Sequence, residues 1–137
     1  MEDHSLKKHQ TVRTIVVLGI MFIIAAIHLF RVGSYLKGNL HNFYYAYASD
    51  VMVPFAAYFL LCLNDIHIRF LRKWYVKALI VFIVMTFSEI MQYFGIYFFG
   101  DTFDALDIVM FGIGICIAVC VDKYLFEKFV PYWSHKT

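Results

Sequence analysis

Glu89, Gln92, Asp101, Asp104 and Asp107 fall within or beside stretches whose other residues are apolar enough for the interior of a lipid bilayer. An ionisable group at membrane depth is costly unless it is paired or hydrated, so such groups mark sites of use. Carboxyls gathered there can exchange protons or hold a cation. Joined by an imidazole, they can also ligate a divalent metal that bridges to a phosphate. In this reading Glu89 is a deep acid or base, Asp104 and Asp107 are anionic ligands, and His28 or His41 supplies a further donor.

Other polar residues point the same way. His28 and Arg31 are three apart and would be neighbours on a helix surface. Asp50 precedes Pro54 by four residues; proline has no amide hydrogen, so the Asp50 carbonyl loses its helical partner at the level of the Asp50 side chain. The competing reading is a structural polar lock, in which Asp104 caps a helix, Asp101 supports the turn after Gly100, and Arg31 neutralises a carboxylate. Recognised catalytic patterns are missing: the sequence has no HExxH, no Ser/His/Asp order, no phosphate-binding glycine loop and no arginine triad. Neither catalysis nor any cofactor or bound metal can be assigned from these residues.

The elements that must position them are membrane spans. Of 137 residues 62% are hydrophobic and 16% charged, with mean hydropathy +0.70, which excludes an ordinary soluble domain. Four apolar segments, residues 14–35, 47–63, 77–99 and 104–126, predict an all-α, polytopic four-transmembrane-helix bundle forming one membrane domain. The N-terminal residues lack the apolar core and cleavage site of a signal peptide, so the first span is expected to remain in the mature protein. With an even number of spans, Lys7, Lys8, Arg13, Arg69, Arg72, Lys73, Lys77, Lys123, Lys128 and Lys136 fall on the side of the termini, against Arg31 and Lys37. Such asymmetry predicts a multi-pass plasma-membrane protein with both termini cytoplasmic. Trp74 and Trp133 would then form an inner belt, and Tyr44, Tyr45, Tyr47 and Tyr97 an outer one. Basic residues flank spans instead of lining an aromatic groove, so no nucleic-acid partner is expected.

Helical spacing decides which groups can meet. Met85, Glu89, Gln92 and Ile96 share one face of the third span; Asp104, Asp107, Phe111, Gly114 and Ala118 share one of the fourth. The Gly114 and Ala118 step allows close helix approach, within the bundle or across a homodimer. Gly33, Ser34, Gly38, Asn39, His41 and Asn42 predict that residues 33–46 break from helix at the outer interface. His4, His9 and His135 are terminal and read as solvated, and His67 belongs to the loop expected on the cytoplasmic side. Cys62, Cys116 and Cys120 read as reduced packing residues, although Cys116 and Cys120 are one turn apart.

The pattern Glu89-x-x-Gln92, followed by Gly100-x-x-Phe103-Asp104-x-x-Asp107-Ile108 and then Gly114, resembles the signature half of the VanZ-like membrane proteins, over about residues 85–118. That resemblance implies a bacterial plasma-membrane protein of the cell envelope, linked to glycopeptide resistance. Asp101 stands where the family carries arginine, so Arg31 would be the base that balances the acids. The expectation is a VanZ-like envelope protein that binds an outer-leaflet amphiphile or a cation at an acidic intramembrane centre. Membrane lipids, or a lipid-linked envelope intermediate, would be its partners. The alternatives are an enzyme or transporter acting on a lipid-linked phosphate, and a structural subunit of a membrane complex.

Overall fold

The computed structural model describes residues 2–96 and 103–133. Over them the chain is an all-α bundle with no strand among the described residues: α1 Glu2–Leu29, α2 Asn39–Asn64, α3 Trp74–Tyr93 and α4 Ala105–Cys120. α4 runs on through a π-helical stretch, Val121–Phe126, and a last turn, Glu127–Phe129. Four helices, His4–Leu29 within α1, α2, α3 and the continuous Ala105–Phe129, are long and apolar enough to cross a membrane.

The boundaries differ from those expected, for local reasons. α1 starts earlier and stops at Leu29, short of residue 35, because Arg31 turns into the left-handed region at φ 49°. A 3-10 turn, Val32–Tyr35, and Gly38 at φ 63° complete the reversal. α2 then begins at Asn39, well inside the segment expected to be broken. His41 and Asn42 sit in its first turn, where backbone N–H groups have no intrahelical acceptor and polar side chains lose little.

The end of α3 matters most. In place of continuing to residue 99, it closes on Gly95 at φ 79°, with Ile96 N–H donating to Met91 O and Gly95 N–H to Gln92 O, both at 2.9 Å. These are the paired bonds of a Schellman cap, and glycine supplies its left-handed residue without strain. Glu89 is therefore near the end of its helix, not deep within it. Tyr97, Gly100 and Asp101 lie outside the described residues.

α2 is the central helix and packs on the other three, whereas α1 packs on no other long helix among the described residues and meets the C-terminal segment through His9 and Arg13. Ile15, Leu18, Phe22 and Ile23 of α1 are exposed, as a lipid-facing surface requires. The tightest seam joins α2 and α4. Gly114 is buried there, and a β-carbon on it would collide with the Val51 carbonyl oxygen and come to 3.0 Å from Pro54 Cγ. Ala118 is fully buried one turn on. The small-residue face of α4 is thus used within the bundle.

Candidate functional site

Three helices bring Asp50, Glu89, Asp104 and Asp107 to one end of the bundle. Asp104 precedes α4 in extended backbone, and its Oδ1 accepts the Leu106 N–H at 2.9 Å, an N-cap of the ordinary kind. Its own N–H donates to Glu89 Oε1 at 2.8 Å, so the end of α3 is tied to the start of α4. Tyr47, from the first half of α2, donates its hydroxyl to Asp104 Oδ2 at 3.4 Å. Asp50, one turn further along α2, lies within electrostatic range of Asp107, Glu89 and Asp104.

Glu89 is 2% exposed and Gln92 8%. The Gln92 amide hydrogen-bonds neither Glu89 nor Asp107 among the described residues; the link from α3 to the start of α4 is the Asp104 N–H to Glu89. Beside Glu89 the buried Ser88 hydroxyl has no hydrogen-bond partner. The ion pairs of Arg13 and Lys77 with Asp65, of Lys77 with Asp122 and of Lys123 with Glu127 lie elsewhere, and among the described residues no base is paired with the four acids.

The basic members of the expected site are not with the acids. α1 has already ended when Arg31 is reached, yet Arg31 and His28 still line one small cavity, on the α1 side of α2, with Tyr44, Tyr45 and Ser49. Arg31 pairs with none of the carboxyls and cannot be the balancing base. His41 stacks on Tyr45 with ring centres 4.6 Å apart, and its Nδ1 is 3.4 Å from Asn42 Oδ1. No group of three or more His, Cys, Asp or Glu is placed to hold a metal among the described residues. Cys62 is buried and free; Cys116 and Cys120 are exposed and free.

Sequence reading missed a second polar cluster, at the end of the bundle that carries the termini. Arg13 of α1 and Lys77 of α3, 4% and 3% exposed, meet Asp65 after α2 and Asp122 after α4, 4% and 3% exposed. Arg13 pairs with Asp65; Lys77 Nζ is 3.3 Å from Asp65 Oδ2 and 3.7 Å from Asp122 Oδ2. Asp122 also accepts from the Tyr58 hydroxyl at 2.6 Å and the Trp133 indole N–H at 2.7 Å. Trp133 returns its carbonyl to Arg13 Nε and Nη2 at 3.0 and 2.6 Å. Two bases against two acids, with hydrogen bonds to the remaining atoms, is the balanced arrangement that a low-dielectric interior tolerates.

This cluster corrects three expectations. Trp133 is a core residue, 2% exposed, and not part of an interfacial belt. His9 is not simply solvated: its Nδ1 bonds the Tyr132 carbonyl and its ring meets the Tyr132 ring edge-on at 5.5 Å. Arg13 and Lys77, counted among the flanking charges of the spans, are buried and paired with Asp65 and, for Lys77, Asp122. The available sign was their order: a base at the start of one span and an acid at the end of the next, repeated in both helix pairs.

No known family, curated protein or solved structure matches this chain.

Proposed function

We propose that this chain is a small envelope membrane protein that binds a cationic group, carried by an outer-leaflet amphiphile, at the Asp50, Glu89, Asp104 and Asp107 centre. The observation that carries the reading is charge imbalance. Four carboxyls converge from α2, α3 and α4, and no base among the described residues pairs with them. Protons or a cation must offset that charge, and an ammonium headgroup at the membrane surface is a cation with donors to spend. The ten-to-two basic asymmetry favours termini in the cytoplasm, which would put the centre in the outer leaflet. The likeness of residues 85–118 to VanZ-like proteins adds a bacterial envelope setting and a link to glycopeptide resistance.

One observation favours a structural role for part of the centre: Glu89 and the Asp104 side chain each satisfy a backbone N–H at the start of α4. Asp50 and Asp107 are free of that duty and discriminate between the readings. With the protein in neutral detergent, dodecylammonium should bind the wild type about tenfold more tightly than Asp107→Asn, the ~1.4 kcal/mol expected of one charge-assisted contact. Dodecanol, which lacks the charge, should distinguish them little. Equal dodecylammonium affinity in both proteins would leave only the structural role.

A further inference from the structure

Between the last turn of α1 and the first turns of α2 lies a cavity of about 170 Å³. Its polar lining is His28, Arg31, Tyr44, Tyr45 and Ser49, and no carboxyl lines it. The Arg31 guanidinium has no carboxylate partner among the described residues. Three hydroxyl-bearing side chains and an arginine with no carboxylate partner among the described residues, lining one small cavity, suit an oxyanion with several acceptor oxygens.

The walls of this cavity are held in place. Arg31 occupies the left-handed region at φ 49°, ψ 50°, where a residue with a β-carbon persists only if its surroundings enforce it. Gly33 is buried against the Tyr44 ring, and a β-carbon there would collide with it, so the turn after α1 fixes that phenol. Tyr45 is flanked by the His41 ring at 4.6 Å and the Tyr44 ring at 5.7 Å. His28 Nδ1 is 3.0 Å from the Ile24 carbonyl, which can only accept, so Nδ1 carries the proton and Nε2 is left free.

We propose that this cavity binds a phosphate group. It opens where two spans end, the level at which membrane phosphates lie, and arginine's fork matches a phosphate's paired oxygens. The group can come from a phospholipid headgroup or from free inorganic phosphate. The site is separate from the acidic centre, and its test does not involve Asp107.

Arg31→Gly is the informative variant, because it deletes the guanidinium while putting the residue best suited to a left-handed backbone at the position. It should melt no lower than the wild type. In neutral detergent, native mass spectrometry with short-chain phosphatidylglycerol should show binding to the wild type, weakened roughly tenfold in Arg31→Gly and less in Arg31→Lys. Tyr44→Phe, which removes one hydroxyl and keeps the packing, should weaken it severalfold, and carries the test should Arg31→Gly not fold. Short-chain diacylglycerol, with no phosphate, should not bind. Arg31-dependent binding of inorganic phosphate without phosphatidylglycerol would assign the site to the free anion. Phosphatidylglycerol binding unchanged in Arg31→Gly and Tyr44→Phe, or matched by diacylglycerol, would overturn the proposal.

Discussion

Glu89 owes its role to one backbone hydrogen. Its Oε1 takes the Asp104 N–H, a donor that α4 cannot satisfy itself because it belongs to the residue before the first turn. Glu89→Gln keeps an amide oxygen at the same place and should change stability little. Glu89→Ala strands that donor in a poorly hydrated place and should cost about 1–3 kcal/mol in detergent unfolding. If the two variants unfold together, the Glu89 to Asp104 bond does not hold the end of α3 to α4. The sequence showed that Glu89 was out of place in an apolar helix. What it did not show was the partner, because a backbone N–H leaves no mark in residue type. Nor did it show that His28, Arg31 and His41 face away from the acids: three-residue spacing places neighbours on a helix, and α1 ends before Arg31.

At the scale of elements, glycines decide the geometry. Gly95 ends α3 early enough for Glu89 to reach α4, which separates a surface centre from a deep one. The helix-breaking signal was legible as a lone glycine, but whether an apolar helix stops there depends on the cap that Met91, Gln92 and Ile96 complete. Gly114 was legible outright, since small residues four apart on an apolar face call for a close neighbour. That neighbour is α2 at Val51 and Pro54. Gly114→Ala should therefore cost about 1–3 kcal/mol through overpacking. Gly19→Ala, with nothing within 4 Å of the added carbon, should be neutral or gain up to about 1 kcal/mol from helix propensity. Equal effects on detergent melting would place α4 away from α2 at this level. The broken segment expected over residues 33–46 proved shorter because α2 uses its polar start as a first turn.

The whole molecule has a polar cluster at each end of a shared apolar middle of Tyr58, Met85, Phe111, Ile115 and Ala118. Hydropathy alone fixed the four-helix class, because runs of this length have few alternatives in 137 residues. The two clusters were not equally readable. Acids stood out against apolar sequence at the centre, whereas Arg13, Asp65, Lys77 and Asp122 looked like ordinary flanking charges until the helices paired them. The contrast carries the functional reading: the terminal-side cluster pairs two bases with two acids, while the opposite one gathers four acids with no paired base among the described residues.

That the acids form one coupled centre is tested by a double-mutant cycle on Asp50 and Asp107. Either Asp50→Asn or Asp107→Asn relieves the like-charge conflict between the two, so the second change has little left to relieve. Thermal unfolding in detergent should show the double variant departing from the sum of the singles by about 0.5–3 kcal/mol. Additivity within about 0.5 kcal/mol would make Asp50 and Asp107 independent residues and contradict the centre.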